Sequence, residues 1–142
     1  MIENIRHTGI VVEDVEKSLR FYRDLLGFKI TKQMEESGAY IDNMSSLKGI
    51  KVITIKMTLP DRQMVELLKY HSHPREQKPR DSCEVGISHI AFTVDNLDKE
   101  YARLKKEGIV FNAPPQRSPD GYAKVTFCRA PEGTLIELVE VL

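Results

Sequence analysis

His7-Thr-Gly-Ile-Val-Val-Glu-Asp-Val-Glu-Lys17 returns as His89-Ile-Ala-Phe-Thr-Val-Asp-Asn-Leu-Asp-Lys99, displaced by 82 positions. The match pairs His7 with His89, Val12 with Val94, Val15 with Leu97, Glu16 with Asp98 and Lys17 with Lys99. Self-similarity over such a length marks an internal duplication, in which each copy is one supersecondary unit. Within each copy the pattern changes from strand-like to helical. Val15, Leu19, Tyr22 and Leu26 recur at helical spacing, as do Leu97, Tyr101 and Leu104, so each copy reads as a strand followed by an amphipathic helix. Asp14 and Asn96 suit the N-cap, and Gly27 and Gly108 suit the left-handed residue that ends a helix.

Outward from this motif the copies also end alike. Met64-Val-Glu-Leu-Leu closes the first and Leu135-Ile-Glu-Leu-Val closes the second. Polar turns, Pro60-Asp-Arg-Gln and Ala130-Pro-Glu-Gly-Thr, precede them as in hairpins. Between helix and closing strand there is room for two more strands, 29–33 and 51–58 in the first copy, 109–111 and 123–129 in the second. The expected fold class is therefore α+β, two tandem βαβββ modules. The closing carboxylates, Glu66 and Glu137, are 71 positions apart, so the first copy carries about eleven extra residues, placed as a substrate-side loop in 34–49. The Pro- and charge-rich 71–84 reads as a linker. We expect one domain over 1–142, with module 1 at 1–70 and module 2 at 85–142.

Composition excludes several function classes. Lys plus Arg equals Asp plus Glu at 21 each, so no global field would recruit nucleic acid or an anionic membrane. No run approaches the roughly 18 apolar residues of a membrane span, and the N-terminus lacks a basic leader before an apolar stretch. A soluble, cytoplasmic protein acting on a small molecule is expected. Cys83 and Cys128 form neither a disulfide framework nor a CxxC pair, and both read as reduced structural thiols.

Four residues resist a scaffold role. Glu66 shares a strand face with Met64 and Leu68, and Glu137 with Leu135 and Val139, while the opposite faces carry Val65 and Leu67, Ile136 and Leu138. A carboxylate with apolar neighbours on both faces is costly unless a proton, a cation or a metal neutralises it. His7 and His89 occupy equivalent places in the first strands, and neutral imidazole is a common ligand of first-row divalent metals. One such His alone is more simply a hydrogen-bonded core residue. Two His and two Glu at repeat-related positions instead make two half-sites of a four-ligand shell, so His7, Glu66, His89 and Glu137 are expected to bind one divalent metal.

The carrying segments are His7-Thr-Gly-Ile-Val-Val, Ser18-Leu-Arg-Phe-Tyr-Arg-Asp-Leu-Leu-Gly-Phe, Met64-Val-Glu-Leu-Leu, Ser88-His-Ile-Ala-Phe-Thr-Val and Ala130-Pro-Glu-Gly-Thr-Leu-Ile-Glu-Leu. With them, nearly the whole chain resembles the vicinal oxygen chelate superfamily, which includes glyoxalase I, methylmalonyl-CoA epimerase, extradiol dioxygenases and fosfomycin or bleomycin resistance proteins. The resemblance implies an open, cupped mixed sheet with helices outside and a metal in its concavity. Two adjacent substrate oxygens would chelate that metal, which would stabilise an enediolate or enolate, and Glu137 or Glu66 would serve as the base. It further implies a homodimer, with the site built within one chain or from modules exchanged between two. Ni, Co, Zn, Mn and Fe all suit such a ligand set.

The His-Glu-His-Glu quartet most resembles the bacterial glyoxalase I type, and a metal-dependent lyase or isomerase is the leading expectation. An epimerase usually has Gln at the second position, where Glu66 stands, and no second base is identifiable, although Glu35, Glu36 and Asp42 lie in the inserted loop. An extradiol Fe(II) dioxygenase would need only His7, His89 and Glu137, with Tyr122 as a conceivable acid-base group. A metal-free metabolite- or antibiotic-binding protein is the alternative of a different class. Arg23, Lys69, Arg117 and Lys124 read as surface charges ahead of anion ligands, and His71 and His73 as surface histidines. Tyr40, Tyr122, Met34 and Met44 read as core or loop packing ahead of pocket lining.

Overall fold

A computed structural model describes every residue from 1 to 142 except Pro79. The chain divides into two compact units, Met1–Gln77 and Lys78–Leu142. In the first, β1 (Thr8–Val11) leads into α1 (Val15–Leu19), which continues as a π-helical stretch (Arg20–Leu25). Then come β2 (Lys29–Ser37), α2 (Ala39–Ser45), β3 (Lys51–Thr58) and β4 (Met64–Tyr70). The second unit runs β5 (His89–Thr93), α3 (Leu97–Lys106), β6 (Gln116–Arg117), β7 (Ala123–Arg129) and β8 (Leu135–Val141). Each unit forms its own four-stranded mixed sheet, in the orders β1-β4-β3-β2 and β5-β8-β7-β6. The opening strand pairs parallel to the closing strand in both, and the remaining pairs are antiparallel. The α+β fold of two βαβββ modules is therefore present, with one added helix in the first.

The helix starts form as their capping residues require. Asp14 accepts from the Lys17 amide at 3.1 Å and Asn96 from the Lys99 amide at 2.9 Å, each satisfying an otherwise orphaned first-turn N–H. Gly27 and Gly108 have φ of 83° and 88°, a region costly for any residue with a Cβ. The buried stripe of α1 departs from simple helical spacing. The Leu26 amide donates to the Phe21 carbonyl five residues back, and this wider turn buries Phe21, Tyr22 and Leu25 while leaving Leu26 half-buried.

Two expected elements differ. Residues 109–111 form no strand: Phe111 makes an isolated bridge to Cys128, and the fourth strand is Gln116–Arg117. The stretch 34–49 is no simple loop, because β2 runs on to Ser37 and α2 follows. Asp42 clasps the end of this insertion by accepting from the Gly49 and Ile50 amides at 2.8 and 2.9 Å, and these bonds hold its carboxyl below the usual range. The expected linker, 71–84, is held by hydrogen bonds at several points. The His71 amide donates to the Lys51 carbonyl, Ser72 Oγ accepts from the Lys51 amide, and further on Glu84 accepts from Arg80 and from the Asp81 amide. Pro79, within this stretch, lies outside the described residues.

Strand alternation sorts each sheet into a packed face and a second face. Ile10, Ile55, Met57, Val65 and Leu67 are buried in the first unit, as are Cys128, Ile136 and Leu138 in the second. Burial pushes the Cys128 thiol up to about 11, whereas Cys83 is exposed. At pH 8 a thiol reagent is expected to modify Cys83 rapidly and Cys128 only on unfolding, because the thiolate is the nucleophile and Cys128 lacks both ionisation and access. Mass spectrometry of the labelled native chain reads this directly, and two rapid adducts would contradict it. No helix is long and apolar enough to cross a membrane among the described residues.

Candidate functional site

Each module brings its own His and Glu together. His7, one residue ahead of β1 and so not within the strand as expected, places Nε2 3.3 Å from Glu66 Oε2 on β4. His89, the first residue of β5, places Nε2 3.1 Å from Glu137 Oε2 on β8. The parallel pairing explains the meeting. Gly9 is aligned with Glu66, and Ala91 with Glu137, so the chain just upstream of each lies beside the carboxylate. Both carboxylates are largely buried, with side-chain exposures of 12% and 20%.

The same ring nitrogen faces the carboxylate in both modules, and the far sides of the rings differ. His89 Nδ1 lies 3.2 Å from Ser88 Oγ, and the ring meets Phe127 edge-on at 5.5 Å. His7 Nδ1 is buried with no hydrogen-bond partner. A further difference concerns the carboxylates. The cross-strand neighbour of Glu66 is Lys56, whose Nζ lies 3.4 Å from Oε1, so Glu66 offers one oxygen to a cation and the other to His7. The corresponding neighbour of Glu137 is Phe127. Nothing in the strand pattern alone draws attention to Lys56. The equal spacing of Lys56 to Glu66 and Phe127 to Glu137 is the signal that could have done so.

The donor set fits a divalent metal. Two adjacent ligands on roughly 2.0–2.2 Å bonds in a six-coordinate shell are about 3 Å apart, close to both His–Glu separations. Imidazole nitrogen with carboxylate oxygen is borderline chemistry that suits first-row transition metals. Among the described residues, no group of three or more His, Cys, Asp or Glu side chains gathers into a metal-holding cluster. What stands assembled is a pair in each module.

Other candidates fall away from the site. Arg23 pairs with Asp24 at 2.7 Å, Lys69 with Glu13 at 2.8 Å and Lys124 with Asp98 at 2.6 Å, while Arg117 donates to the Gly121 carbonyl. Tyr40, Met44 and Tyr122 are exposed and so pack no core, whereas Met34 is half-buried. His71 is exposed as expected, but His73 is half-buried with φ of 54°. Of the inserted-loop carboxylates, Asp42 is committed to the clasp and Glu36 accepts from the buried Thr54 hydroxyl at 2.6 Å.

The model of the Glyoxalase/Bleomycin resistance protein/Dioxygenase superfamily matches residues 4–138. The chain belongs to this superfamily. Among relatives, it is 29% identical to the Bacillus subtilis protein YwkD, across 99% of this chain and 98% of that one. It is 26% identical to a Pseudomonas aeruginosa lactoylglutathione lyase, across 94% and 80% of the two chains. The Schizosaccharomyces pombe lactoylglutathione lyase is 28% identical over 95% of this chain, which spans 46% of that longer protein. In fold, a Bacillus cereus glyoxalase family protein superposes with a TM-score of 0.89 at 21% identity, covering 100% of this chain and 96% of that one.

Proposed function

We propose that this superfamily member is a divalent-metal-dependent lyase or isomerase of the glyoxalase I type, acting on a small oxygen-bearing substrate. Its metal ligands are His7, Glu66, His89 and Glu137, and the ion is Ni, Co, Zn, Mn or Fe. The observation that carries this reading is the recurrence, at repeat-related positions, of an imidazole Nε2 and a carboxylate Oε2 separated by 3.3 and 3.1 Å. The two pairs make up one shell, from the modules of a single chain or from modules of two chains in a homodimer, and 1–142 works as one domain. The setting is the cytoplasm.

When bound, the ion would supply Lewis acidity toward adjacent substrate oxygens. The chain's own residues supply the rest. His7 and His89 give neutral donors, and Ser88 orients the His89 ring through Nδ1. Glu66, with Lys56 3.4 Å from Oε1, has one oxygen engaged by a cation and would serve as a ligand through the other. Glu137 has the apolar Phe127 as its cross-strand neighbour, which leaves it the freer of the two to accept a proton from a carbon beside a carbonyl.

Metal analysis by plasma mass spectrometry on gently purified protein tests the centre, beside a folded Glu66→Gln/Glu137→Gln double variant. About one transition-metal ion per active shell, lost in the variant, is expected. Turnover of a hemithioacetal, a thioester or a hydroxy-carbonyl compound by protein reconstituted with each metal would complete the case. Absence of metal even after reconstitution would make a metal-free binding protein the better account, and metal without turnover of any of these substrates would remove the lyase or isomerase reading.

A further inference from the structure

The face of the first sheet that bears Glu66 also bears a pair of lysines. Lys32 on β2 stands directly opposite Lys56 on β3, and Lys56 stands opposite Glu66 on β4, so the three form one row across the sheet. A register shift in β2 creates this row. Ile30 pairs with Met57 and Lys32 with Lys56, leaving Thr31 as the extra residue, and its hydroxyl donates to the Lys56 carbonyl at 3.2 Å. Without that bulge, Thr31 would face Lys56 and Lys32 would point to the opposite face. Bulges commonly re-aim a side chain in this way beside a functional site.

Like charges directly opposite on a sheet repel, so the arrangement calls for a compensating anion. Glu66 answers Lys56 on one side, with Nζ 3.4 Å from Oε1. Lys32 is exposed and makes no ion pair among the described residues. Once Glu66 also serves a metal, its charge is shared, and the pair of ammonium groups is less fully compensated. The second module offers no counterpart, because Phe127 stands where Lys56 does.

We propose that Lys32 and Lys56 form the recognition site for an oxyanion group of the substrate, a carboxylate or a phosphate, carried at a distance from the chelating oxygens. The inference rests on the metal-centre reading above and adds a substrate class to it. Lys56 stands one strand spacing from Glu66 and Lys32 two, so an anionic group between them lies roughly 5–10 Å from the Glu66 carboxylate, several bonds along the substrate from its chelating end. The substrate is then a chelating acid or phosphate ester with a tail, in contrast to a compact neutral diketone or hydroxyketone.

Calorimetric titration of nickel-loaded protein with alkyl hydroxamates tests this, the tails ending in a carboxylate, a phosphonate or a neutral amide and varying in length. Wild type should bind a charged tail of intermediate length at least tenfold more tightly than the matched amide, and the stronger of the two charged tails identifies the oxyanion. Lys32→Met, at an exposed position whose loss leaves the fold intact, should remove most of that preference, and Lys32→Met/Lys56→Met all of it. Metal content measured on the same samples separates the failures. Protein that takes up nickel yet binds charged and neutral tails alike, or a Lys32→Met variant that keeps the full preference, overturns the lysine site alone. Wild type that takes up no nickel overturns both the lysine site and the metal centre beneath it.

Discussion

Glu137→Gln is expected to weaken metal binding by more than a hundredfold while leaving the metal-free chain as stable as the wild type. Removing a partner that merely orients a ligand costs roughly 10–100-fold in metal affinity, so loss of a charged ligand should exceed that range. In the metal-free chain the amide can still face His89 Nε2, and no ammonium is stranded, since the cross-strand neighbour is Phe127. Glu66→Gln should weaken metal binding by a comparable factor and also destabilise the metal-free chain by about 1–3 kcal/mol. There the substitution removes the anion on which the three-quarters-buried Lys56 and His7 both rely. Chelator competition with nickel or cobalt gives the first quantity, and urea unfolding of the metal-free protein gives the second. Unaltered metal affinity in either variant would strike that residue from the ligand set. Equal stability losses would show that Lys56 does not distinguish the two half-sites.

That asymmetry marks the boundary of what a linear reading reveals. The duplication, the helix caps at Asp14 and Asn96 and the equivalence of His7 with His89 are local patterns, carried by residue type and spacing. The meeting of His with Glu inside each module comes from the parallel pairing of its first and last strands. Three features depend on tertiary context and were hidden. The π-helical turn moves the buried stripe from Leu26 to Phe21 and Leu25, and periodicity cannot see a changed period inside one helix. The bulge at Thr31 decides which face Lys32 joins, and one inserted residue inverts the alternation on which face assignments rest. Residues 109–111 look strand-like by composition yet contribute one bridge, at Cys128, and the same edge of β7 is paired further along by Gln116–Arg117.

Tyr22→Ala is expected to destabilise the protein by about 3–5 kcal/mol, the usual cost of deleting a large aromatic from a packed interior. Tyr22 is fully buried and meets Phe21 and Phe28 edge-on, with ring centroids 5.0 and 6.3 Å away. Its carbonyl also accepts from the Phe28 amide, so the side chain sits where α1 ends and the chain turns toward β2. Among the described residues the second unit has no fully buried aromatic, and its helix anchors through Leu97 and Leu104, with the Leu97 amide donating to Glu140 at 2.7 Å. A cavity at Tyr22 should therefore loosen the first unit first. Amide hydrogen exchange followed by mass spectrometry would show the loss of protection concentrated in β3 and β4, with β7 and β8 changing less. The functional consequence is specific. β4 carries Glu66 and β3 carries Lys56, so metal affinity should fall in Tyr22→Ala although no ligand has been touched, and nickel at saturating concentration should restore part of the lost stability by mass action. Uniform loss of protection across both sheets would instead show that the two modules unfold as one cooperative unit, and that the half-sites stand or fall together.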